Sequence, residues 1–135
     1  GDVRRRAVKV LLDTHVLLWA AGEPERLPEQ ARQLLEAPEN ELVFSVASLW
    51  EVAIKSALGR EDFRVDAAVL RRGLIENGYL ELPVAGEHAV AVAALPPLHR
   101  DPFDRLLVAQ AQIEGIVLLT VDPLVAAYPG PIRKF

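Results

Sequence analysis

Val8-Lys9-Val10-Leu11-Leu12-Asp13 is a short aliphatic run, partly β-branched, that ends on a carboxylate. A run of this length that is apolar on both faces suits a strand buried on both sides. The same pattern returns at residues 42–46 and 116–120, and between these runs the spacing of apolar residues turns helical. Helices are expected over 14–21, closed by Gly22 and Pro24, and over 28–37. Another is expected over 47–58, where Leu49, Trp50, Ala53, Ile54 and Ala57 share helical spacing before Gly59. Asp66 caps a helix that reaches residue 75. Residues 87–95 read as a helix stopped by Pro96-Pro97, and 102–114 as the clearest helix, stopped by Gly115. Asp122 opens a short one. Two further strands are expected at 80–84, where Pro83 marks an edge or an end, and at 131–135. Strands alternating with helices imply a parallel sheet covered on both faces, an α/β fold. In such sheets ligands gather beyond the carboxyl ends of the strands, so function is sought there.

Composition narrows the chemistry. The 135 residues suit one domain, 1–135, with no repeat, linker or composition break. Zero cysteines exclude disulfides, thiol nucleophiles and thiolate metal sites, and fit a cytoplasmic location. The chain also lacks methionine, so residues 1–6 read as a flexible or non-native start. No apolar run is long enough for a membrane span. Fifteen Lys plus Arg against nineteen Asp plus Glu leave a net charge of −4, which argues against a nucleic-acid coat but allows a nuclease with an acidic pocket.

Four acids stand where such a pocket would form. Asp13 follows the first strand, Glu51 lies one turn into the helix after the second, Asp104 sits in the first turn of the clearest helix, and Asp122 comes just after residue 120. Singly, each has a structural explanation: Asp13 and Asp122 as helix caps, Asp104 as a complement to the helix dipole, Glu51 as an exposed i,i+4 partner of Lys55. Together, in a parallel sheet, they leave the same edge. Converging carboxylates repel unless cations lie between them, and hard oxygen donors select Mg²⁺ or Mn²⁺. Such a set suits two-metal phosphodiester hydrolysis.

Four stretches carry a family resemblance: Leu11-Leu12-Asp13-Thr14-His15, Ser45-Val46-Ala47-Ser48-Leu49-Trp50-Glu51-Val52-Ala53, Arg100-Asp101-Pro102-Phe103-Asp104-Arg105 and Leu119-Thr120-Val121-Asp122. In order and spacing the chain resembles PIN-domain ribonucleases, and most of all the VapC-like toxins of toxin–antitoxin pairs. The resemblance implies a three-layer α/β/α, Rossmann-like domain with a mainly parallel sheet of four or five strands. It implies a Mg²⁺- or Mn²⁺-dependent endoribonuclease acting on RNA, a homodimer and inhibition by a cognate antitoxin. Asp13 and Asp104 would be the most direct metal ligands, with Glu51 and Asp122 completing the set partly through water.

Auxiliary candidates have competing readings. Asp101 reads foremost as a helix cap. Thr14 and Thr120 bind a pocket carboxylate or phosphate, or merely cap. One of Ser45 and Ser48 is an N-cap. Arg100 and Arg105 could hold an RNA phosphate, although Arg105 also stands four residues from Asp101. His15 and His99 read as packed or solvated, since water activated by a metal needs no histidine base. Trp19 and Trp50 read as core or dimer packing, and Leu17, Leu18 and Trp19 as a candidate dimer or antitoxin surface. Haloacid-dehalogenase-type phosphoryl transfer also places an Asp after the first strand, but it wants a second acid where this chain has His15. A non-catalytic binding module is the other alternative.

Overall fold

The computed structural model describes residues 7–135; residues 1–6, read above as a flexible or non-native start, lie outside them. Strand β1 (Lys9–Leu12) leads through Asp13, the N-cap, into α1 (Thr14–Gly22) and a 3-10 turn at Pro24–Arg26. Then follow α2 (Glu29–Glu36), β2 (Glu41–Ser45) and α3 (Val46–Ala57), a second 3-10 turn at Glu61–Phe63, and α4 (Ala67–Glu76). The second half runs through β3 (Leu80–Leu82), α5 (Gly86–Ala91), a 3-10 turn at Val92–Ala94, α6 (Pro102–Glu114), β4 (Val117–Thr120), α7 (Pro123–Ala126) and β5 (Ile132–Lys134).

All four ladders are parallel and the strand order is β3-β2-β1-β4-β5. The chain therefore builds outward from β1 on one side, then crosses to β4 and builds outward on the other. The boundary between β1 and β4 is the switch point where neighbouring connections diverge and leave a crevice. There the Asp13 N–H donates to the Leu119 carbonyl at 3.0 Å, which carries the β1–β4 ladder one step past the end of β1.

The three central strands β1, β2 and β4 are largely buried on both faces, as their double-sided apolarity predicts, while the edge strands β3 and β5 are not. Val10 and Leu12 of β1, Phe44 of β2 and Leu119 of β4 face a core with Val16 and Leu17 of α1 and Leu70 and Leu74 of α4. Their neighbours Leu11, Val43 and Leu118 face the opposite core, filled by Leu107, Val108 and Ala111 of α6 and Val125 of α7. Helix α3 sends Ala47 to one core and Val52 to the other. Fully buried Gln110 ties the layers: it accepts from the Ser45 hydroxyl at 2.5 Å and donates to the Pro83 carbonyl at 3.3 Å.

Four expectations shift. The helix expected over 87–95 ends at Ala91 and tightens into the 3-10 turn, because the chain must swing toward Leu95, which is buried in the core. The strand expected over 80–84 stops before Pro83, whose missing N–H cannot extend a ladder. Trp50 is not a core residue: it is 60% exposed, with its edge against Phe103. Leu17 is wholly core, whereas Leu18 and Trp19 line a groove of about 890 Å³ together with Leu70, Leu74 and Tyr79. Gly115 ends α6 with φ at 66°, a left-handed geometry that a side chain disfavours, and its N–H returns to the Ala111 carbonyl.

Phe44 of β2 is fully buried between the sheet and the helices packed on that face. Replacing Phe44 with Ala should cost about 3–5 kcal/mol, read as a lowered urea midpoint with unchanged slope. A loss below about 1 kcal/mol would show that this core is not close-packed.

Candidate functional site

The site forms where β1, α3, α6 and β4 present their ends at the crevice. Asp13 is held from two sides. As the N-cap of α1 its Oδ1 accepts from the Val16 N–H at 2.9 Å, while its Oδ2 accepts from the Thr120 hydroxyl at 2.5 Å. Thr120 in turn accepts the Asp122 N–H at 3.0 Å, so one hydroxyl links the acids after β1 and β4. Capping and pocket roles, which compete in the sequence, coincide in the structure. Asp13 is 4% exposed, and burial raises its pKa above the ordinary carboxylate value. The Thr120 and Val16 bonds act against that rise, and the Asp122 charge adds to it.

Glu51 is 2% exposed and far from being a surface partner of Lys55. Its Oε1 accepts from the Thr14 hydroxyl at 2.6 Å, with Ser48 Oγ 2.9 Å beyond, and its Oε2 accepts from Lys55 Nζ at 2.5 Å. The ammonium also lies 3.5 Å from Asp101 Oδ2 and 4.9 Å from the centroid of Phe63. Burial alone would lower the Lys55 pKa, but the hydrogen bond and charge of Glu51, followed by Asp101, outweigh it and the net shift is upward. Ser45 is the N-cap of α3, which leaves Ser48 as the serine beside the acids.

Asp101 caps α6, its Oδ1 accepting from the N–H groups of Phe103 and Asp104 at 2.8 and 3.1 Å, while its other oxygen faces Lys55. Pro102 supplies the preset first helical residue, so the cap delivers Asp104 into the crevice. Asp104 is pushed up to about 8, first by burial and then by the charges of Asp101, Asp13, Glu51 and Asp122. Every other acid of the predicted set thus acts on this one carboxyl. Asp122 caps α7 through Oδ1, and its Oδ2 accepts from His99 Nε2 at 3.1 Å.

The structure adds two residues to the predicted set. Lys55 is a cation inside the acidic cluster; its one sequence signal is the i,i+4 step from an acid destined for the pocket. His99 Nε2 lies 3.1 Å from both Asp104 Oδ2 and Asp122 Oδ2. Its only signal is a position two residues ahead of the α6 cap. Arg105 does not form the i,i+4 pair with Asp101: its guanidinium donates to backbone carbonyls at Val92, Leu95, Pro96 and His99. Arg100 is exposed. His15 faces the other way, 3.4 Å from Asp62 and edge-on to Phe63.

His99, Asp104 and Asp122 offer one ligand atom each within 4.8 Å of one another. With Asp13 and Glu51 close enough to act on Asp104, the donors are mainly hard carboxylate oxygens, a set that fits Mg²⁺ or Mn²⁺. Five carboxylates against the single ammonium of Lys55 also leave an excess of negative charge that divalent cations would offset.

A family model for the PIN domain matches residues 10–130, and the chain belongs to that family. It is 31% identical over 122 residues to Ribonuclease VapC22 of Mycobacterium tuberculosis, covering 90% of this chain and 93% of that protein. Among solved structures it resembles VapBC2 of Rickettsia felis bound to a DNA fragment from its promoter (TM-score 0.70, 14% identity, 95% of this chain and 99% of that one). It also resembles DNA-bound VapBC of Salmonella typhimurium (TM-score 0.66, 17% identity, 94% and 98%).

The raised pKa of Asp104 carries a signed consequence. Between the ordinary carboxylate range and about 8, the folded state keeps a proton that the unfolded state has lost, so stability falls as pH rises through that window. In EDTA the melting temperature should decline from pH 5 to pH 8. Asp104→Asn should flatten the decline and melt higher than wild type at pH 8, as followed by circular dichroism. Parallel pH profiles for the two proteins would contradict the convergence of acids.

Proposed function

We propose that this chain is a Mg²⁺- or Mn²⁺-dependent endoribonuclease, the toxin of a toxin–antitoxin pair, hydrolysing RNA phosphodiester bonds. The observation that carries this reading is the burial of Asp104 among four other carboxylates at the β1–β4 switch point. Relatedness to a ribonuclease named VapC22, and likeness in fold to VapBC assemblies, support the substrate class and the antitoxin. A homodimer and a cytoplasmic location belong to the same proposal; among the described residues no helix is long and apolar enough to cross a membrane.

Asp13, Glu51, Asp104 and Asp122 would hold the ions, which supply an activated water and offset charge on the phosphate when bound. The chain's own residues do the rest. Thr120 fixes Asp13 and Asp122 relative to each other, so the two strand-end acids need not reorganise. Lys55 supplies the positive charge that buried Glu51 requires and also faces Asp101, the cap that aims Asp104. Thr14 orients Glu51 from the opposite side. Water attacking phosphorus with loss of the 3′ oxygen breaks one P–O bond and leaves a 5′-phosphate and a 3′-hydroxyl, with no part for the RNA 2′-hydroxyl.

Purified protein should cut single-stranded RNA with Mg²⁺ or Mn²⁺ and stop in EDTA, and Asp13→Asn or Asp104→Asn should reduce cleavage to background. A 2′,3′-cyclic phosphate product, or turnover unchanged by EDTA, would refute the mechanism. An inert wild-type protein that still binds divalent ions would favour a binding module. Mn²⁺ at about a hundred times its Kd should stabilise the fold by about 2.7 kcal/mol, seen as a higher melting temperature, and a metal-independent melting curve would count against the cluster.

A further inference from the structure

His99 stands among the groups that could ligate an ion, yet its hydrogen bonds assign it otherwise. The backbone N–H of Asp101 lies 3.0 Å from His99 Nδ1 and donates to it. An amide N–H can only donate, so Nδ1 must present a lone pair, and the proton of the neutral ring then sits on Nε2. That nitrogen points into the acid cluster, bonded to Asp122 Oδ2 at 3.1 Å with Asp104 Oδ2 at the same distance. Ligation through Nε2 would require the ring proton to move to Nδ1. It would then oppose the Asp101 N–H, breaking a bond at the residue that caps α6.

The ring is also held by its own backbone. The His99 N–H donates to Tyr128 Oη at 2.9 Å, and the same Oη lies 3.3 Å from Arg105 Nη1. Arg105 reaches further, to the carbonyls of Pro96 at 3.2 Å and Val92 at 3.1 Å, and to those of Leu95 and His99 at 3.5 Å. One planar fork thereby straps the segment from Val92 to His99 onto α6. A lysine, with a single point of charge on a flexible stem, cannot reproduce that span.

We propose that His99 is a tautomer-locked hydrogen-bond donor that positions Asp122 beside Asp104, strapped in place by Arg105, and is not itself a metal ligand. The metal part of this statement rests on the proposed nuclease reading; the donor assignment stands on the hydrogen bonds alone.

Long-range ¹H–¹⁵N correlation spectra of the full chain, with His99 identified by comparison with His99→Gln, should show Nε2 protonated and Nδ1 bare in EDTA. The pattern should persist when Mg²⁺ is added. A proton on Nδ1, or loss of the Nε2 proton on adding Mg²⁺, would overturn the proposal. In calorimetric titration with Mn²⁺, His99→Gln keeps a donor near the Nε2 position without an imidazole, so its affinity should stay within a few-fold of wild type. His99→Ala and Arg105→Lys should each lose about 10- to 100-fold, the usual cost of removing a group that orients a metal ligand. Equal losses in His99→Gln and His99→Ala would identify a ligand instead and overturn the donor role. Should wild type bind no Mn²⁺ or Mg²⁺ at all, the nuclease reading fails, and the tautomer seen in EDTA decides the donor assignment by itself.

Discussion

Like charges brought together in a largely buried cluster are the dominant constraint on this molecule. Asp13, Glu51, Asp101, Asp104 and Asp122 reach one crevice from β1, α3, α6 and β4, and burial followed by the charges of the other four raises Asp104 to about 8. An apolar fold has no intrinsic reason to gather acids, so the surrounding structure has to hold them. Each of Asp13, Asp101 and Asp122 accepts backbone N–H groups as the N-cap of a helix, and Glu51 is gripped by Thr14 and Lys55. The caps solve two problems with one set of atoms: they satisfy orphan helix donors, and they fix carboxylates that would otherwise turn outward to water.

The sheet explains why the caps converge. Parallel strands all point their carboxyl ends the same way, and the order β3-β2-β1-β4-β5 places the strands that precede Asp13 and Asp122 side by side. The two buried cores then act mainly as a rigid mounting. Leu11 and Leu118 anchor one face and Leu12 and Leu119 the other, so the strand ends cannot tilt independently of the helices they feed.

Much of this could be read from residues alone. The doubly apolar strand runs, the Asp-Pro starts of α6 and α7 and the Gly115 stop are local signals with local causes, and the observed elements follow them closely. The four acids were legible as a group because Asp13 and Asp122 stand at strand-to-helix junctions, Asp104 lies in the first turn of α6, and Glu51 lies in the helix that follows the second strand. Contacts made by tertiary placement were not. Nothing near Arg105 announces that its partners are loop carbonyls from Val92 to His99, and i,i+4 spacing made Asp101 look the natural partner. Lys55 looked like half of a surface pair because exposure is not written in spacing. His99 follows a proline pair in a segment without periodicity, where sequence patterns carry the least information.

The Thr120–Asp13 hydrogen bond closes across 107 positions of chain. On a ribosome, which releases residues in order, the first half of the sheet can collapse while the crevice still lacks one wall. Only when β4 slides in beside β1 does Asp122 meet its counterparts. A polypeptide that ends before β4 lacks Thr120 and Asp122 and so cannot complete the acidic cluster, which ties assembly of the cluster to synthesis of nearly the whole chain.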